Sequence, residues 1–261
     1  MSDRRRLVFT LLLLLSASCL PAQRPAPLSS APLRIAAAAD LQPVLPPILQ
    51  AFARQTGIRA DASYQSSATL ATQIINGAPF DLFLAADTSF PQRVIEAGRA
   101  EETQPVPYAR GTLVLWTRND SGVPALNPEA LTSGAVRSIA IANPEHAPYG
   151  RAAQATLEHW HMLNAVRPKL RIAENIAQAA QYADSGNAQV GFISLTSALT
   201  PRLKADGHFT PIPPDDHPPI LQGAIVVRGA AQSQAAHRFL EFLRTPAIAH
   251  TLAAEGLEPA S

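Results

Sequence analysis

From residue 33 onward, short apolar runs alternate with stretches of helical periodicity. Residues 33–39 (LRIAAAA) are small and branched apolar residues and predict a buried strand. Asp40 follows as a candidate N-cap, and Leu41, Val44, Leu45, Ile48 and Phe52 recur at helical spacing. Pro43, Pro46 and Pro47 disturb the start of that helix. Proline is comfortable only in a first turn, so the helix is expected to settle after Pro46, with Gly57 ending it. Residues 58–64 predict the next strand. Ser66 and Ser67 open a helical run through Ile75, closed by Asn76 and Gly77. Residues 81–85 (DLFLA) predict a third strand, followed by Asp87 and a short helix ending near Gly98.

The alternation continues with strands over 113–117, 138–142, 170–173, 190–194 and 224–227. Helices are expected over 151–161, from about 175 to 184, and over 235–244, the last with Phe239, Leu240 and Leu243 on one face. Strands alternating with helices imply an α/β fold with a mostly parallel sheet covered on both faces. No internal repeat is visible.

The N-terminus reads as a targeting segment. Arg4, Arg5 and Arg6 precede an apolar run over 7–15 that is too short for a permanent membrane helix. Residues 1–19 are therefore expected to act as a signal peptide and 20–32, rich in Pro, Ala and Ser, as a linker. Cys19 is the single cysteine. It stands where a lipoprotein cysteine would, although Ser16 occupies the position where such a box usually has Leu. Ordinary cleavage nearby is the alternative. The mature fold has no disulfide in either case. Apolar residues make up 47% of the chain, enough for a sizeable core. The formal net charge of +1 gives no footprint for nucleic acid. A site for an anion on such a chain must work by local geometry.

Open α/β sheets bind ligands beyond the carboxyl ends of their strands. The turns there carry Ala39 and Asp40, then Gln65, Ser66 and Ser67, then residues 143–150 (NPEHAPYG), then Glu174, Asn175 and Ile176. They are hydroxyls, small residues and helix starts, with no Lys or Arg at the turn. A helix start offers free backbone N–H groups and the positive end of its dipole. Several converging would hold a dianion without a cation. Each residue also has a plainer reading. Ser66 and Ser67 suit N-caps, Tyr149 a buried ring, Asp87 a helix cap, and His146 a structural hydrogen bond. His159 and His161 flank Trp160 on different helix faces and make no metal pair.

These stretches resemble the periplasmic molybdate-binding proteins of ABC importers, of the type II periplasmic solute-binding kind. The likeness runs from about Leu33 to Glu258. It is carried by IAAAADL (35–41), SSATLATQI (66–74), APFDLFLAAD (78–87), ANPEHAPYGRAA (142–153), AENIAQA (173–179) and VGFIS (190–194). The resemblance implies two Rossmann-like α/β lobes joined by a two-strand hinge, the periplasmic-binding-protein architecture. Lobe I would comprise 33–111 and 224–261 and lobe II 112–223, with crossings near 110–112 and 222–224.

Carried over position by position, the resemblance implies a molybdate site at Asp40, Ser67, Tyr149, Ile176 and Ser194. A carboxylate facing a dianion repels it, so the expected contact of Asp40 is its backbone N–H, with the side chain acting as a cap. A serine stands at 194 where some members place a tyrosine, and the hydroxyl is expected from either Tyr149 or Ser194. Implied partners are molybdate or tungstate and the membrane permease of an ABC transporter, with no resident cofactor, for a monomeric extracytoplasmic protein that is not an enzyme. The alternatives are a sensor or binding protein for another tetrahedral oxyanion such as sulfate, or a hydrolase. The hydrolase lacks its signatures: there is no G-x-S-x-G, no H-E-x-x-H and no G-x-x-x-x-G-K.

Overall fold

The computed structural model describes residues 31–260. The signal segment, most of the linker and Cys19 lie outside them.

The first strand, β1 (Leu33–Ala38), runs into a short 3-10 turn (Ala39–Leu41) and then α1 (Leu45–Thr56). Pro46 and Pro47 sit in the first turn of α1, where a missing N–H leaves no intrahelical bond unmade. Gly57 closes the helix at φ 74°, a left-handed conformation that glycine adopts without steric cost. The chain continues through β2 (Ala60–Gln65), α2 (Ser67–Ile75), β3 (Leu82–Ala85), α3 (Ser89–Glu96) and β4 (Val106–Gly111). Across Thr112 it enters β5 (Leu113–Arg118), then α4 (Pro128–Thr132), β6 (Ile139–Ala142), α5 (Pro148–His159) and α6 (Leu163–Val166). β7 (Leu170–Ala173), α7 (Ile176–Asp184), β8 (Val190–Ser194), α8 (Leu195–Ala198), α9 (Pro201–Asp206) and β9 (Gly207–Pro211) complete this half. The chain returns through β10 (Ile220–Val226), α10 (Ser233–Leu243), α11 (Pro246–Ala254) and β11 (Leu257–Glu258).

The strands form two sheets. One has the order β11-β4-β10-β3-β1-β2, the other β7-β6-β8-β5-β9. Each is mixed, where the alternation of strand and helix predicted a mostly parallel sheet. β1 pairs in parallel with β2 and β3, and β6 with β7 and β8; β10, β4 and β11 join one sheet antiparallel, and β5 and β9 the other. The antiparallel members follow from the two crossings, which carry a strand from one sheet directly into the other. Ile220 to Gly223 already pair with β4, so β10 joins the first sheet ahead of the expected return at 224.

Side chains alternate across each strand, and both faces of each sheet are covered. In the first sheet Ile35, Leu82 and Leu84 face the cluster built on Phe52 and Phe239, whose rings meet edge-on at 5.0 Å. Ala36, Phe83 and Ile225 face the other side, against α2 and α3. In the second sheet Leu113, Leu115 and Phe192 face one cluster and Val114, Trp116 and Ile193 the other.

Candidate anion-binding site

The turns after β1, β2, β6 and β7 meet in one small cavity between the sheets. Its walls include Asp40, Ser66, Ser67, Tyr149, Asn175 and Ile176, and no Lys or Arg. The cavity is small, about 10 Å³ of room for the centre of a water-sized sphere. A small, compact ligand suits it.

Local sequence sets the donors. Ser66 caps α2 by accepting from the Thr69 N–H at 3.3 Å, and Asn175 caps α7 by accepting from the Gln178 N–H at 3.0 Å. Each cap satisfies the third amide of its helix. The first amides, on Ser67 and Ile176, have no acceptor within the helix. α5 begins with Pro148, which has no N–H, so Tyr149 carries the first amide there. The Ser67 hydroxyl accepts from the Ala86 N–H at 3.1 Å. That bond occupies a lone pair and leaves its own proton to donate.

Asp40 is fully buried. Its side chain caps nothing: the 3-10 turn is preceded by Ala38 and has no side-chain cap. Instead Oδ2 accepts from the Tyr149 hydroxyl at 3.1 Å and from the Gln222 side-chain amide. Among the described residues Oδ1 has no hydrogen-bond partner, and neither has Oε1 of Gln222. Burial pushes the Asp40 carboxyl up to about 6, against the lowering effect of the bonds from Gln222 and Tyr149. Burial and the neighbouring Asp40 charge raise the Tyr149 phenol well above its ordinary value.

Four of the residues expected from the sequence, Asp40, Ser67, Tyr149 and Ile176, therefore line one space. Ser194 does not line it. It ends β8, where its Oγ accepts from the Ser197 N–H at 3.3 Å and caps α8. The Tyr149 phenol is committed to Asp40, and its backbone N–H is the group left without an acceptor in the helix. Gln222 escaped the sequence reading. The available signal was a polar side chain within the apolar strand ILQGAIV. Asp87 stands one residue before Thr88, the N-cap of α3, where it accepts from the Phe90 N–H at 3.1 Å, and it also ion-pairs with Arg151. His146 lies 3.3 Å from the Asn143 side chain.

The bacterial extracellular solute-binding protein family matches residues 33–258. The chain belongs to that family. It is 35% identical over 195 residues to the molybdate-binding protein ModA of Rhodobacter capsulatus, covering 75% of each chain. It is 31% identical over 227 residues to ModA of Azotobacter vinelandii, covering 87% of this chain and 90% of that one. The solved structure of the Azotobacter vinelandii periplasmic molybdate-binding protein superposes with a TM-score of 0.80 at 30% identity, over 86% of this chain and 98% of that one.

As in a solute-binding protein holding its two lobes together, contacts cross the cavity on several sides. The Ala68 N–H donates to the His146 carbonyl at 3.1 Å, and the Thr196 hydroxyl to the Asp40 carbonyl at 2.7 Å. Arg151 lies outside the cavity, paired with Asp87 and stacked 5.1 Å from the Phe90 ring. Tyr149 makes a crossing contact and also lines the cavity. Tyr149→Phe removes one bond that closes the lobes, and an intramolecular hydrogen bond contributes roughly 0.5–1.5 kcal/mol net. Ligand affinity should fall about two- to tenfold, while Ser194→Ala should cost clearly less. Equilibrium titration of both variants checks this; the reverse order would move the functional hydroxyl to Ser194.

Proposed function

We propose that this solute-binding protein captures molybdate, or tungstate, outside the cytoplasm and delivers it to the membrane permease of an ABC importer. The observation that carries the reading is the convergence of three helix starts and the Ser67 hydroxyl on a small cavity that no Lys or Arg lines. Apart from the Asp40 carboxyl, the groups of this site are donors. A fully deprotonated tetrahedral dianion accepts from all of them. Sulfate has the same charge but is smaller and would make longer, weaker bonds. The relatives named for molybdate binding support the same ligand.

In this reading Ser67 gives its backbone N–H and hydroxyl, Tyr149 and Ile176 their backbone N–H groups, and Asp40 its backbone N–H. Residues 33–111 and 220–261 form one lobe and 112–219 the other. The lobes close by a hinge where the chain crosses between sheets, since only the closed form brings every donor to the ligand. The role is binding and delivery, with no catalysed reaction, and Cys19 is the candidate for a lipid anchor.

Ser67→Ala tests the reading. It removes one charge-assisted hydrogen bond and keeps the backbone donor. Molybdate affinity should fall by about ten- to a hundredfold, seen as a thermal stabilisation that needs correspondingly more ligand. An unchanged titration curve would remove Ser67, and with it this arrangement of donors, from the account.

A further inference from the structure

The polar wall of the cavity contains one group at odds with a dianion. Asp40 is a carboxylic acid, fully buried, lining the space where the oxyanion is placed. Its Oδ2 is held by Tyr149 and Gln222, and its Oδ1 is buried without a hydrogen-bond partner among the described residues. Among the described residues no Lys, Arg or His forms an ion pair with it. A carboxylate and a dianion in one small dry cavity would repel strongly, because low polarisability leaves their charges unscreened.

We propose that Asp40 makes capture proton-coupled: the lobes close on the oxyanion with a proton held on Oδ1, which donates a hydrogen bond to a ligand oxygen. This rests on the oxyanion-binding reading above and deepens it. The balance is simple. One proton from solvent joins the Asp40 carboxylate as one dianion enters, and both leave together when the lobes open.

The surroundings fit a carboxyl that takes up a proton on closure. The groups facing Asp40 are the Tyr149 phenol from α5, the Tyr108 phenol from β4, the Gln222 amide from β10 and the Thr196 hydroxyl from α8. Both phenols are raised well above their ordinary value and stay neutral. The amide and the hydroxyl do not titrate. The Asp87–Arg151 pair outside the cavity is mutually compensated. Asp40 is thus the one group of the cluster free to change charge near neutrality, and its carboxyl already sits at about 6 before any dianion is beside it. A nearby negative charge favours the protonated form further. Donation also selects by chemistry, since an acid proton bonds best to the more basic of two dianions, and molybdate is more basic than sulfate.

The test is calorimetric titration with sodium molybdate at pH 7.5 in two buffers of different ionisation enthalpy, with affinity also followed from pH 7 to 8.5. About one proton should be taken up per anion, and affinity should weaken about tenfold per pH unit above the apparent Asp40 value. Asp40→Asn keeps an acceptor for Tyr149 and places an N–H where the proton would be. It should bind without proton uptake and with affinity flat over the same range. Wild-type binding with no proton uptake and no pH dependence would overturn the proposal alone. Proton uptake that persists in Asp40→Asn would also overturn it. No binding heat in either buffer would overturn the oxyanion reading and this inference with it. The wild-type measurement decides the question even if the variant fails to fold.

Discussion

Gly150→Ala should abolish anion binding and destabilise the protein by about 3 kcal/mol or more. Gly150 lies in the first turn of α5, pressed against the end of β6. A Cβ there would stand 2.3 Å from the Ala142 carbonyl oxygen and 2.8 Å from the Ala142 and Asn143 carbonyl carbons. All three are backbone atoms of the strand end, so no side chain can swing away. The helix start must lift off the sheet, carrying the Tyr149 N–H and phenol away from the cavity. Gly134→Ala is the control: nothing lies within 4 Å of the added carbon. Chemical denaturation and molybdate titration of both variants check the pair. Wild-type stability and affinity in Gly150→Ala would show that α5 is not held where the site needs it.

The second large effect is on stability against pH. The folded-state value of Asp40 is about 6 against an ordinary 3.8, so the folded protein holds this proton more tightly than the unfolded chain. The contribution is fully present below pH about 4 and is lost as pH rises through about 6. Over that window wild-type should lose up to about 3 kcal/mol relative to Asp40→Asn. Opening of the lobes rehydrates the carboxylate and limits the loss. Denaturation midpoints of the two proteins should therefore nearly coincide at pH 4 and separate by pH 7.5, with the variant the more stable. A wild-type protein that gains on the variant as pH rises would contradict the buried, cation-free setting of Asp40.

Much of this was legible in the sequence because it rests on local chemistry. Ser66 and Asn175 announce helix starts by their side chains, whereas the third helix, expected from 151, begins three residues earlier at Pro148. β7 and β8 fall where their apolar runs place them. What the sequence hid was set by long-range pairing. β4 (VPYARG) and β9 (GHFTP) carry too little apolar alternation to read as strands, and they exist because β10 and β5 offer them partners. The contact between Asp40 and Gln222 joins residues 182 positions apart and has no local signature. Asp40 read as a cap because an acid after a strand usually is one. Only the packing of Tyr149 and Gln222 against it reveals a buried acid. Tyr149 reads equally as a ligand hydroxyl or a packing ring until its phenol is seen to face a carboxylate.

The central claim is that this cavity selects a tetrahedral dianion by size and by the donors that converge on it. Calorimetric titration of the mature chain with molybdate, tungstate, sulfate and phosphate tests it most directly. Molybdate and tungstate should bind tightly at one site per chain, with sulfate weaker by about a hundredfold, which corresponds to about 3 kcal/mol, and phosphate weaker still. Sulfate or phosphate binding as tightly as molybdate would contradict the account.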